Sequence, residues 1–325
     1  TTGYQGMVGI LTAFCDDDTT VALDKLSHAC ILDGAYLAQG QNPDLELRFF
    51  KHNSATSLRR ILAQSDKPNK LVVCEGLYSV DGDMAPLADL IAVCKEFDAC
   101  IVVDDAHGIG VLGPTARGTA EEKGVLGDID ILFGSFSKAF GGIGGFVTAD
   151  QVLIDFLKLK ARSFLYSASL PVAQIEAASE ALDIIVREHG SLLSRLNDNR
   201  DRFRAGLLRL GFDLGDSETH ITPIMVGDEM KTLTFGAHLY HGAGVIMMPC
   251  IYPGVPAGKG RLRCNVTACH DEADIGYTLE ALAAIGKDLG LLSATAATGA
   301  GRLAKARWLA EHKLRSARNA GRIGA

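Results

Sequence analysis

Lys138 lies in the run Ile131-Leu-Phe-Gly-Ser-Phe-Ser-Lys138-Ala-Phe-Gly-Gly-Ile-Gly-Gly145, where an apolar stretch empties into small hydroxyl and glycine residues. A lysine there is held near backbone and hydroxyl donors instead of on a solvated helix face, which suits an amine that must form a Schiff base. Upstream, Ala99-Cys-Ile-Val-Val-Asp-Asp-Ala-His107 is a second apolar stretch. It ends in Asp104, a carboxylate able to pair with a pyridinium nitrogen. Lysine and carboxylate together are what pyridoxal phosphate (PLP) chemistry requires. The run Gly108-Ile-Gly-Val-Leu-Gly113 also matches G-x-G-x-x-G. A dinucleotide fingerprint opens a helix and has its acid downstream, whereas here Pro114 and Gly118 follow and the acids precede, so that reading is set aside.

The elements that position these residues are legible as alternating apolar runs and helical patterns, the signature of an α/β domain with a mostly parallel sheet. Strands are expected at residues 20–23, 45–50, 71–74, 100–104, 129–133 and 145–148, with helices at 54–63 and 86–97. Glu75, Ser79, Asp104, His107, Ser135 and Lys138 all fall just after a strand, where open α/β sheets bind ligands. Residues 1–170 read as the large cofactor-binding domain and 171–210 as a connecting helix or helix pair. Residues 211–290 read as a smaller C-terminal α/β domain, with strands at 220–226, 244–248 and 261–267 and helices at 229–240 and 271–289. Residues 291–325 read as a small-residue linker and a basic tail.

At 325 residues, 47% hydrophobic and 22% charged, the composition is that of a soluble globular protein. The net charge of -7 argues against a general nucleic-acid partner. The tail, with Arg302, Lys305, Arg307, Lys313, Arg315, Arg318 and Arg322 around Trp308, is either a solvated terminal segment, the favoured reading, or a peripheral membrane contact. Eight cysteines without a C-x-x-C pair read as reduced thiols of a cytoplasmic protein. Cys264, Cys269 and His270 lack the second ligand pair that a zinc site needs, so no metal is expected. No segment is long and apolar enough to span a bilayer. The chain opens at Thr1-Thr-Gly-Tyr without a methionine, and the expectation is the remainder of a longer polypeptide.

Three runs in order, Cys74-Glu-Gly-Leu-Tyr-Ser-Val-Asp-Gly-Asp-Met-Ala-Pro-Leu, Val103-Asp-Asp-Ala-His-Gly-Ile-Gly-Val-Leu-Gly and Gly134-Ser-Phe-Ser-Lys-Ala-Phe-Gly-Gly, resemble the α-oxoamine synthases over residues 1–290. These are PLP-dependent transferases of fold type I that condense an amino acid with an acyl thioester and release CO2. The resemblance implies that Lys138 is the Schiff-base lysine, Asp104 the pyridinium partner and His107 a donor to the cofactor's phenolic oxygen. It implies that His28, by itself an uninformative histidine, stacks on the ring. Ser79 would lie beside the phenolic oxygen, with Glu75 near the same strand end. Gly3 and Tyr4 would form the phosphate-binding turn at a helix N-terminus. Ser135 stands where the family usually has threonine. Ser167 resembles the segment that reaches a neighbouring subunit's phosphate, and Arg263 the arginine that grips the substrate carboxylate. A homodimer with shared active sites is implied as well.

The sequence departs from the family pattern at Gly6-Met7, where an asparagine is common, and at Asp105, where glutamate is commoner. The family also has a further N-terminal segment, including an arm at the acyl entrance, that this sequence does not show. An aminotransferase of the same fold typically carries D-x-x-Y, whereas Asp104-Asp-Ala-His107 places histidine at the fourth position. A non-catalytic partner subunit would lack the lysine. Among synthases, the Thr1-Thr-Gly-Tyr-Gln turn and Gly134-Ser-Phe-Ser-Lys138 lean toward serine palmitoyltransferase. The amino acid, the acyl length and the choice of coenzyme A or a carrier protein are not readable from the sequence.

Overall fold

The computed structural model describes residues 1–292; of the expected linker and basic tail at 291–325, residues 293–325, with Trp308, lie outside the described residues. The chain divides into two compact units. One is Thr1–Ser79 with Asp83–Leu193, and the other is Val80–Gly82 with the described residues from Ser194 to 292.

The first unit is built on six strands, β1 (Thr19–Asp24), β2 (Glu46–Phe50), β3 (Asn69–Glu75), β4 (Cys100–Asp104), β5 (Ile131–Ser135) and β6 (Gly145–Ala149). They lie in the order β2-β1-β3-β4-β5-β6. Every pairing is parallel except the last, in which β6 returns antiparallel beside β5. The helices of this part are α1 (Gly3–Phe14), α2 (Ala29–Gln41), α3 (Ala55–Ala63), α4 (Leu87–Glu96), the short α5 (Thr119–Glu122), α6 (Gln151–Lys160) and the short α7 (Arg162–Leu165). They cover both faces of the sheet, which explains why its central strands read as continuous apolar runs.

Period-two alternation sorts the strand residues between the two faces. Val21, Leu23, Val73, Val102, Ile131 and Phe133 join Met7, Ile10 and Leu11 of α1 and Ile31 and Ala35 of α2 in one core. Ala22, Val72, Cys74, Ile101, Val103 and Leu132 join Leu58 and Leu62 of α3 and Leu90 and Ile91 of α4 in the other. Each fully buried Leu, Ile or Val contributes about 1.5–3 kcal/mol relative to an exposed one. Continuing the alternation past the apolar stretch places Glu75, Asp104 and Ser135 on the α1/α2 face, and Asp24 on the opposite one.

The 171–210 region is a single 39-residue helix, α8 (Val172–Leu210), and not a pair. In the second unit, β7 (Ile221–Gly227), β8 (Met248–Cys250) and β9 (Gly260–Asn265) form an antiparallel sheet in the order β7-β9-β8, with α9 (Glu229–His238) and α10 (Glu272–Asp288). Leu207, Ile224, Phe235, Leu262 and Leu282 fill its core. The strand expected at 244–248 begins at Met248 instead. A π-turn at Leu239–Ala243 prolongs α9, and Gly244, at φ 69, ends it in the left-handed region that glycine tolerates. Asp271 and Asp274 close a reciprocal capping box on α10. Among the described residues no helix is long and apolar enough to cross a membrane.

Candidate active site

At the C-terminal ends of β3, β4 and β5 a cavity of about 290 Å³ is lined by Thr2, Gly3, Tyr4, His28, Cys30, Glu75, Asp104, His107, Ser135, Ser137, Lys138 and neighbouring residues. Two helix N-termini point to the same place. Thr2 caps α1, its hydroxyl accepting the Gln5 N–H at 3.2 Å, so the first-turn N–H groups of Gly3 and Tyr4 lie at the cavity wall without helical partners. His28 caps α2, its Nδ1 accepting the Cys30 N–H at 3.2 Å. Partial desolvation, and then the charge of Lys138, lowers the His28 pKa from its ordinary value, although the residue keeps an exposed edge.

Asp104 is the last residue of β4 and is buried. One carboxyl oxygen accepts the Ala106 N–H at 3.1 Å; the other has the Cys30 thiol at 3.9 Å. Burial pushes its pKa up to about 6, although the Ala106 N–H and Lys138 pull the other way. Glu75, its register partner on β3, accepts backbone N–H groups from His28 and Ser79, yet burial and the Asp104 charge raise it well above the usual carboxylate range. Lys138 sits in the turn between β5 and β6, with its carbonyl accepting the Gly141 N–H at 3.0 Å. Ser135 Oγ and Ser137 Oγ share a 2.8 Å hydrogen bond beside it.

Ser79 is not among the residues lining the cavity; its backbone N–H reaches Glu75. Ser167 is also absent from the lining and has Gln5 Nε2 at 3.5 Å. Arg263 lies on β9 of the second unit, opposite Pro223 and Met248. The nearby Arg261 is buried and ion-paired with Asp81. Sequence reasoning missed Thr2, Cys30 and Ser137, whose only local signals are a capping hydroxyl, a place two residues past His28 and a place one residue before Lys138.

The departures from the family pattern have local explanations. A Cβ on Gly6 would stand 2.7 Å from the Phe133 ring, so this helix face admits no asparagine without a shift. Asp105 turns away from the cavity and binds the Thr119 N–H at 2.6 Å and the Thr119 hydroxyl at 2.7 Å. The G-x-G-x-x-G run is an irregular turn in which Gly108 packs against that carboxylate and Gly110 and Gly113 have positive φ, and no helix opens from it. His270, raised as a metal ligand, instead accepts the Thr267 N–H through Nδ1 at 3.1 Å.

The site fits PLP. A protonated ring nitrogen would complete the Asp104 carboxyl, whose second oxygen now has only a weak thiol donor, and a phosphate suits the N-terminus of α1 with Ser135 and Ser137 beside it. A largely parallel sheet that gathers lysine, carboxylate and histidines around one such cavity defines a PLP-dependent enzyme of fold type I. Residues 1–282 match the aminotransferase class I and II family. An 8-amino-7-oxononanoate synthase from Geobacter metallireducens is 42% identical over 292 residues, covering 89% of this chain and 73% of that protein. The Sphingomonas wittichii serine palmitoyltransferase superposes with a TM-score of 0.85 at 33% identity, covering 90% of this chain and 72% of that one. A serine palmitoyltransferase from S. paucimobilis, solved with a bound PLP–myriocin aldimine, gives a TM-score of 0.84 at 34% identity over the same shares. The chain belongs to the aminotransferase class I and II family, and within it to the α-oxoamine synthases. That membership makes it a PLP-dependent, acyl-transferring enzyme.

Proposed function

We propose that the protein catalyses the decarboxylative condensation of a small amino acid with an acyl thioester, giving an α-amino ketone, CO2 and a free thiol. The observation that carries this reading is His107, which lines the same cavity as Asp104 and Lys138 where an aminotransferase would present tyrosine. When bound, PLP supplies an electron sink for the bond broken at the amino acid's Cα. Asp104 would keep the ring nitrogen protonated, and His28 would lie against the cofactor face. The N-terminus of α1, with Ser135, holds the phosphate. The Lys138 amine would serve as the base that removes the Cα proton and later returns one. His107 donates to an oxygen, first on the cofactor and then at the thioester carbonyl. The family resemblance further assigns Arg263 to binding the substrate carboxylate and Ser167 to the phosphate site of a second copy, roles that these two residues would take in a homodimer.

Two substrate readings follow from different observations. The Thr2-Gly3-Tyr4 turn and the Gly134–Lys138 run lean toward serine with a long-chain acyl thioester, as in the serine palmitoyltransferases. Proteins named 8-amino-7-oxononanoate synthase reach 42% identity, which supports the acyl thioester and amino acid those enzymes use, although a solved 8-amino-7-oxononanoate synthase from Francisella tularensis is only 23% identical. A panel of serine, alanine and glycine against acyl-coenzyme A and acyl carrier protein of graded chain length, followed by CO2 release and amino-ketone detection, separates the two. Transfer of the amino group to a keto acid without CO2 release would replace the condensation reading with an aminotransferase.

A further inference from the structure

His52, two residues beyond β2, stands between two carboxylates on the sheet face opposite the cavity. Its Nδ1 lies 2.9 Å from Asp24 Oδ1 and its Nε2 lies 2.8 Å from Asp83 Oδ2. Asn53, held at φ 52, repeats the bridge: its backbone N–H donates to Asp24 at 2.8 Å and its side-chain amide to Asp83 at 2.7 Å. The Tyr78 ring packs edge-on against the imidazole with centroids 4.4 Å apart. Asp24 is wholly buried and also accepts the Leu26 N–H at 2.8 Å. Burial alone would lower the His52 pKa, yet the hydrogen bonds to Asp24 and Asp83 outweigh it and push it up to about 10, so the ring is an imidazolium at neutral pH. Asp24 and Asp83 are the charged groups facing that ring; the adjacent Lys25 and Lys51 are exposed.

The two carboxylates belong to the two segments that Glu75 joins on the cavity side. Asp24 begins the turn that leads through Ser27 to His28, and Asp83 closes the loop whose Ser79 N–H, like that of His28, donates to Glu75. The pair of segments is therefore tied twice, at Glu75 beside the cavity and at His52 behind it. We propose that His52 is a positioning residue whose charged bridge between Asp24 and Asp83 sets the β1–α2 turn and thereby the place of the His28 ring. The proposal rests on the reading of His28 as the residue that lies against the cofactor.

The test is a double-mutant cycle on folded protein, with the PLP dissociation constant measured by equilibrium dialysis for wild type, His28→Ala, His52→Gln and the double variant. Imidazole NMR of the cofactor-free wild type accompanies it. A doubly protonated His52 at neutral pH is expected. Each single variant is expected to weaken PLP binding about three- to tenfold, and His52→Gln is expected to add nothing once His28 is alanine, because interacting residues fail additivity. Full additivity, an unchanged constant for His52→Gln, or a neutral His52 at pH 7 would overturn the proposal. If His28→Ala leaves binding unchanged, the reading of His28 falls first and the positioning role with it. Should His52→Gln not fold, Asp83→Asn loosens one arm of the bridge and enters the same cycle.

Discussion

Glu75 and Asp104 are register partners at the ends of neighbouring parallel strands, and both carboxyl groups line the cavity that also holds Lys138. Two buried acids side by side resist joint ionisation, and burial raises both pKa values in the cofactor-free chain. A second positive charge beside that of Lys138 would relieve that conflict further, as the proposed pairing of a pyridinium nitrogen with Asp104 would do.

Asp104→Asn therefore trades function for stability. With the folded pKa of Asp104 raised from 3.8 to about 6, its neutral form is favoured in the folded chain. The associated stability is fully present below about pH 4 and lost as pH rises through about 6. Cofactor-free Asp104→Asn is expected to be more stable than wild type at pH 8, by up to about 3 kcal/mol from the size of that shift, with the difference vanishing toward pH 4. Denaturant melts of the cofactor-free proteins at the two pH values check this, and activity is expected to be lost.

Lys138→Ala is expected to abolish the visible absorbance of the lysine-bound cofactor. Turnover should fall about a hundred- to ten-thousand-fold, the range for removing a positioned general base. Absorbance spectra and single-turnover kinetics measure both; a variant that kept full activity within a hetero-oligomer would point instead to a partner subunit.

Gly118 and Gly124 both have positive φ, at 101° and 70°, but only Gly118 is crowded. A Cβ there would stand 2.0 Å from Asp105 Oδ2, whereas nothing lies within 4 Å of one on Gly124. Gly118→Ala should cost about 2–4 kcal/mol, combining backbone strain with overpacking, and Gly124→Ala about 1 kcal/mol of strain alone. Thermal or denaturant unfolding of the two variants distinguishes them.

Arg263→Lys keeps the charge and loses the planar fork. If the guanidinium grips the substrate carboxylate, KM for the amino acid should rise about tenfold or more, while PLP affinity stays unchanged. Steady-state kinetics with PLP titration separates that result from general damage to the second unit.

Within the sequence itself lay the strands of the large sheet, because apolar runs bounded by small residues are local signals, and with them the positions at or just past their ends, Glu75, Asp104, Ser135 and Lys138. The three motif runs carried the family. The helix ends were less legible. α1 and α2 begin at Thr2 and His28, caps that announce themselves only once a helix is known to follow. What tertiary structure alone decided is which residues face each other. Alternation sends Asp104 toward the cavity, whereas Asp105 turns into a glycine-lined turn and Asp24 toward His52, although on paper all three are acids at or just past a strand end. The His52 bridge joins Asp24 to Asp83 across chain separations of 28 and 31 residues. Such contacts arise from strand order and from helices packed on opposite faces, which a one-dimensional pattern does not encode.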